Sequence, residues 1–536
     1  HHFSSETESK RSLSLKVLLL AKKFTVTTPM QMSKSEPLTP GSALSEPLNR
    51  SSTISTPMQN FVMSKTERAE WFRDSSEARN QGLRRSRTIA LADMSEARAR
   101  HQQLQETAVL RVQPLGRMKS VLHKHSSKIA LDDSDFSTTG ETAINVLNCV
   151  VGAGVLALPY GITQGGIVIL FFTVVLAIFM AVTMIMIGKL LADTDELAEK
   201  QGVPRLNRDW SWLGLVIFGD AGQWFLSALF MLDLYGFLLS YMIMACHNIH
   251  MVLEFLEPTI IFAGVAVLTF LLLFVPPKYF AVFSILGVVS QILILVCLVI
   301  TGVELEVDRD VTMEFAFVNP SGVFSAFGIV IFLYNAHSCV PLMYQTMKDR
   351  DEFPKAVFMG MGASALFFVV MGGLAYLFFG MSSQQVLLDN VGRDRDLQTI
   401  AFPFPSVVNV GLNYSCALVV AVKLMVSFPV FAKPILVFAE SSLGIESKLA
   451  ATAVWRACFM AGTAFIAVVF RKKLALVMEL TGCVVQTQMT ILVPCGMLLK
   501  LSWKSLGFCS KLCLVIILVL SVVYMVVGSI QIVESL

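Results

Sequence analysis

Three residues near position 150 set polar groups on one face of an apolar stretch. Asn145, Asn148 and Gly152 stand at i, i+3 and i+7, on one stripe of a helix. A carboxamide in hydrocarbon costs free energy unless it is paired, so this stripe is expected to face protein or water. Around it the chain reads Ala143-Ile-Asn145-Val-Leu-Asn148-Cys-Val-Val151-Gly152-Ala153-Gly154-Val-Leu-Ala-Leu-Pro159-Tyr160. Gly-x-Gly followed by proline weakens the hydrogen-bond ladder of a helix in mid-span. A second such place reads Phe332-Leu-Tyr334-Asn335-Ala-His337-Ser338-Cys-Val-Pro341, with polar residues at mid-span and a proline after them. Unwound backbone offers free N–H groups to a carboxylate and free C=O groups to a cation. Close helix packing would explain the Gly-x-Gly, but not the matched pair.

Other ionisable groups fall in the same kind of surroundings. Lys423 is the one basic residue placed within hydrocarbon, and Ser427 follows it one turn later. A lysine at mid-membrane is expensive; it either occupies a cation position beside the first stripe or snorkels to an interface or vestibule. His337 either lines a cavity and relays protons or is a hydrogen-bonded structural residue at the break. Asp233 with Tyr235, and Glu479, are further intramembrane groups that either act or simply pair inside the bundle. His247-x-x-His250 offers two ligands, too few for a metal site.

These residues need spanning helices to position them. Of 536 residues 54% are apolar and 15% charged, against about 25% charged in soluble domains. Eleven apolar stretches of spanning length are expected: 140–163, 166–192, 221–250, 258–275, 280–303, 321–347, 355–380, 406–437, 449–470, 474–499 and 511–533. Helices are the economical reading, since each must satisfy its own backbone, and no alternating ten-residue strands suggest a barrel. The broken stretches are the first and the sixth. Two halves of five helices, about 140–303 and 321–499, with an extra helix at 511–533, fit an inverted repeat whose binding site lies at the breaks. Thr138 to Glu141 has capping-box spacing for the first helix.

Residues 1–135 carry 21 of the 42 basic and 14 of the 39 acidic groups, so the tail, 1–137, is expected to be a disordered, basic, cytosolic segment. Fourteen basic residues fall in the loops on the tail's side and six on the other, with Arg471, Lys472 and Lys473 against the trend. Arg84-Arg85-Ser86-Arg87-Thr88 presents Ser86 and Thr88 to a basophilic kinase as a possible partner. The ten cysteines lie in or beside apolar runs, which argues against a disulfide framework. No basic folded face or stacking motif points to nucleic acid, and no metalloprotease, nucleophile-elbow or Walker motif points to an enzyme.

The first stretch, Asn148-x-x-x-Gly152-x-Gly154-x-Leu156-x-x-Pro159-Tyr160, resembles the first-helix signature of the amino acid/auxin permease family. The sixth, Tyr334-Asn-Ala-His337-Ser-Cys-Val-Pro341-Leu-Met-Tyr344-Gln-Thr-Met347-Lys348, followed by Asp351-Glu352-Phe353-Pro354, is similar to its second signature, and most resembles the vacuolar amino acid transporter subgroup. The resemblance covers about residues 138–533. It implies an all-α polytopic membrane protein of the LeuT-type 5+5 fold, moving amino acids by secondary transport with no cofactor beyond a coupling H+ or Na+. It also implies a substrate site of Gly152, Ala153, Gly154, Phe327, Phe332, Tyr334, Asn335 and His337. The ion-coupling set is then Asn145, Asn148, Val151, Lys423 and Ser427. Sodium-coupled relatives place an ion between helices 1 and 8, and Lys423 departs from that pattern in favour of protons. Few of these residues are charged, so neutral amino acids are expected. A vacuolar or lysosomal membrane and the plasma membrane both remain open, as does an amino acid sensor that signals through the tail.

Overall fold

The computed structural model describes residues 136–275, 281–305, 315–393, 406–445 and 447–534. The tail with Ser86 and Thr88, and the acidic stretch 306–314, lie outside the described residues. Thr138 does cap the first helix, α1 (Thr139–Val150). Its side chain accepts from the Glu141 N–H while Glu141 accepts from the Thr138 N–H. A 3-10 turn, Ala153–Ala157, then leads into α2 (Leu158–Gly165), which has Pro159 in its first turn, where a missing N–H costs nothing. α1 and the continuing helix are bent 45° apart.

The remaining helices follow the apolar runs: α3 (Val168–Lys200), α5 (Asp220–Val252), α6 (Pro258–Leu272), α7 (Ala281–Leu305), α8 (Val323–Leu333), α9 (Val340–Gln345), α10 (Phe353–Phe379), α11 (Ser406–Ser442), α12 (Leu449–Val469), α13 (Leu474–Leu501) and α14 (Phe508–Glu534). Among the described residues, eight helical stretches are long and apolar enough to cross a bilayer, nine with the bent first pair; two shorter apolar helices, Pro258–Leu272 and Val289–Val303, fall where the fourth and fifth spans are expected. All eleven expected stretches are thus helical. One helix was not expected: α4 (Trp210–Phe218), begun by Asp209, whose carboxylate accepts from the Trp212 N–H at 3.2 Å. Burial pushes the Asp209 carboxyl up to about 6.

The helices sort into two packing groups. α1, α2, α3 and α10 lie chiefly on one another, with α8 packed between α2 and α13, and α5, α6, α7, α11 and α12 lie chiefly on one another. Outward-facing side chains such as Phe171, Ile178, Leu366, Phe465 and Leu520 are more than half exposed, as suits helices solvated by lipid. Side chains are absent where α8 crosses α13. A Cβ on Gly482 would stand 1.9 Å from the Gly328 carbonyl oxygen, and one on Gly328 would stand 2.7 Å from that of Glu479. Just there, α13 widens into π turns over Thr481–Gln486 and Gln488–Leu492.

Candidate functional site

The two breaks meet between the packing groups. At the first, Val151 (φ −82°, ψ 74°) ends α1, and Gly152 is extended (φ −111°, ψ −150°). The 3-10 turn that starts at Ala153 leaves its first N–H groups without an acceptor in the helix. Glycines let the other elements close in. A Cβ on Gly152 would stand 3.2 Å from Tyr241 Oη, and one on Gly154 would stand 3.3 Å from Leu333 and 3.4 Å from Phe332. At the second break α8 stops at Leu333, and a 3-10 turn over His337–Cys339 leads into α9, with Pro341 in its first turn.

Two stripes face these breaks. On α5, Asp233, Phe237 and Tyr241 stand at four-residue spacing; on α11, Lys423, Ser427 and Phe431 do the same. Lys423 Nζ donates to the Val151 carbonyl at 3.1 Å, so the ammonium caps the bare end of α1. Phe237 lies 5.2 Å from Phe332 and 5.8 Å from Phe431, and Tyr241 lies 5.7 Å from Phe431. They form an aromatic wall beside Gly152 and Gly154. Asn335 Nδ2 donates to Asp233 at 2.6 Å, Ser338 Oγ donates to the same carboxylate, and Trp210 Nε1 donates to the Ser338 carbonyl at 3.3 Å. The thiols of Cys149 and Cys339 face each other across the two breaks.

Not every expected residue arrives here. Phe327 lies 5.0 Å from Phe172 and 6.4 Å from Tyr524, between α3 and α14, away from the breaks. Five residues from Phe332, it points about 140° away around the helix. Tyr334 is buried with its ring 5.1 Å from Phe368 of α10. His337 is fully buried, its Nε2 2.8 Å from Thr183 Oγ1. That hydroxyl already donates to Met180, so the imidazole donates to it, and His337 braces the break against α3. Along the first stripe Asn145 is exposed, Asn148 half-buried and Gly152 buried. Lys423 and Ser427 are half-buried, and Val151 is buried. Sequence reasoning missed Phe237, Tyr241 and Phe431, although their four-residue spacing from Asp233 and Lys423 was available. It also missed Trp210, which lies far along the chain from the break it supports.

A bundle of spanning helices in two groups, parted by two adjacent interruptions, is the build of a membrane transport protein. The chain belongs to the transmembrane amino acid transporter protein family, whose model matches residues 136–534; the family comprises transporters and not enzymes. It is similar to Amino acid transporter AVT1I of Arabidopsis thaliana, 22% identical over 76% of this chain and 97% of that one. Against Amino acid transporter AVT1C of the same plant it is 24% identical over 52% of this chain, spanning about half (50%) of that relative's length. The Putative sodium-coupled neutral amino acid transporter 11 of Bos taurus is 24% identical over 77% of this chain and 85% of its own. Among solved structures, a Na+-coupled sialic acid symporter aligns over 82% of this chain and 97% of its own, with 10% identity and a TM-score of 0.41. The Eremococcus coleocola manganese transporter aligns over 79% and 97%, with 12% identity and a TM-score of 0.38.

Proposed function

We propose that this chain is a secondary active carrier of neutral amino acids that works by alternating access at the two breaks. The observation that carries the reading is the first break itself, where bare backbone lies against an aromatic wall at the seam between two packing groups. The substrate carboxylate meets the N–H groups that open the Ala153–Ala157 turn, and its side chain lies against Phe237, Tyr241, Phe332 and Phe431. The charged groups next to this space are Lys423 and Asp233, and both already have partners, so nothing is spare to pair with a charged substrate side chain. Rocking one group against the other then opens the seam to each side in turn.

The Lys423 ammonium stands at a carbonyl where a metal cation would otherwise be held. It supports the proton over sodium as the coupling ion. The resemblance of the second-break motif to the vacuolar amino acid transporter subgroup supports a vacuolar or lysosomal membrane, with the plasma membrane as the rival, and the basic loops support a cytosolic N-terminus.

The test is uptake of labelled amino acids into proteoliposomes holding the full chain, under an imposed proton gradient and then a sodium gradient. Proton-driven uptake of neutral amino acids is expected, with exchange of labelled for unlabelled substrate when no gradient is present. A pure sensor would show neither. Lys423→Ala is expected to blunt the proton dependence of uptake, and unchanged proton dependence would remove Lys423 from coupling.

A further inference from the structure

Both donors that fix the second break end on one carboxylate. Asp233, in the middle of α5, is fully buried. Asn335 Nδ2 and Ser338 Oγ donate to its two oxygens. Gln486, from the widened part of α13, faces it without closing a hydrogen bond of ordinary geometry, and the Cys339 thiol is the titratable group beside it on the side of the break. Among the described residues no lysine, arginine or histidine pairs with it. An acidic group at bilayer depth with no cationic partner is expensive to keep.

The orientation of its neighbours says what it can bind. Asn335 Oδ1 accepts from the His337 N–H at 3.3 Å, which turns the NH2 end of the amide to Asp233. The carboxylate therefore meets hydrogens from Asn335 and Ser338. That cage suits an anion, and it is a poor one for a metal cation, whose ligands must be oxygens.

Resting on the carrier reading above, we propose that Asp233 is where the coupling proton is taken up and released, and that its protonation unfastens the second break from α5. The proton passes from a hydronium ion to one carboxylate oxygen, leaving water and a neutral carboxyl group. That oxygen now carries a hydrogen of its own, so the Asn335 or Ser338 donor facing it meets a competing hydrogen and a weaker, uncharged acceptor. Because α5 belongs to one packing group and the break to the other, this bond is a tie across the moving seam. Lys423 caps the first break, whereas Asp233 gains and loses a proton at the second.

The full chain in proteoliposomes tests this, with tritiated L-alanine, L-leucine and L-glutamine as probes. Exchange without a gradient reports the carrier alone; if the unaltered chain shows none, the carrier reading has failed rather than this one. Asp233→Asn is expected to lower proton-driven accumulation by about tenfold or more, the scale of a typical coupling free energy, and to lower gradient-free exchange by less. Proton entry, followed with an internal pH dye, should vanish with it. Accumulation that survives in Asp233→Asn overturns the proposal. Should the asparagine variant lose exchange as well, Asp233→Glu decides. Restored accumulation with a displaced pH profile supports the proposal, and exchange restored without accumulation overturns it.

Discussion

The two ends of the helix bundle are fastened in different ways. At the end where α1 begins, charged side chains tie α3 to the stretch before α4 and to the start of α10, and α12 to α11. Asp195 of α3 joins Arg208, at 2.7 Å, and Arg350, just before α10, while Ser137 and Thr346 share a backbone hydrogen bond of 2.9 Å. In the other group, Arg456 of α12 holds Glu440 of α11 at 2.7 Å and the Leu273 carbonyl at 2.9 Å. At the opposite end a loop from α10 reaches over to the other group. Asn413 of α11 donates to the Leu388 and Val391 carbonyls at 2.8 and 2.6 Å, the Gly392 N–H donates to Thr301 of α7 at 2.9 Å, and His247 of α5 meets Asp389 at 3.0 Å. The Leu387–Asp389 turn rests on the Ala153–Ala157 turn of the first break. The loop end is thus sealed across the seam beside the first break, whereas the α1 end leaves side chains of that break partly exposed. The partial exposure of Asn148, Cys149, Lys423 and Ser427 agrees with access from the α1 end.

That contrast can be broken most strongly at Asn413. Asn413→Leu leaves two buried carbonyls without donors and should cost about 2–4 kcal/mol, at about 1–3 kcal/mol for each orphaned group with partial relief by water. Its sharper readout is labelling. With Cys458, Cys509 and Cys513 changed to serine, an impermeant maleimide should reach Cys149 from the α1 end of the parent protein, and from both ends once Asn413 is replaced. Labelling from the loop end of the parent would refute the seal. Asp195→Asn comes next, at about 1–3 kcal/mol, because it weakens two charge-assisted contacts at once. It is expected to lower the melting temperature without altering which end is labelled. His247→Ala acts on a pair that is partly open to solvent, and should change stability by no more than about 1 kcal/mol. It is expected to quicken exchange, and a slower rate would mean that the loop does not limit opening.

Asp209 acts through pH alone. Its folded value of about 6 lies above the ordinary 3.8, so the folded chain binds this proton more tightly than the unfolded one. The stability it adds is complete below about pH 3.8 and is lost as the pH rises through about 6. Asp209→Asn should flatten that slope in thermal unfolding curves recorded from pH 4 to 7, in the range where one group's linkage is readable.

The breaks were legible because they rest on local chemistry: Gly152 and Gly154 ahead of Pro159, and Asn335 ahead of Pro341, weaken a helix whatever packs around it. The spans were legible for the same reason, since lipid demands long apolar runs. Helical rotation was not. Phe327 and Phe332 read alike in the sequence, yet only one faces the breaks, because the turn of α8 is set by its contact with α13. α4 escaped notice because nine residues between polar neighbours give too little period to read, although Asp209 supplied a cap. The bonds from Asp233 to Asn335 and from Lys423 to Val151 join residues 102 and 272 positions apart. No local pattern encodes such pairs.

The place where Gly328 and Gly482 touch has a mechanical consequence. Main chain presses on main chain, so no rotamer stands between the two rods to absorb a displacement. A small slide of α8 is handed on undamped, and the loosely wound turns of α13 are the part free to yield. Gln486 lies one turn beyond that contact, so the machinery around the buried acid is geared to the broken helix itself.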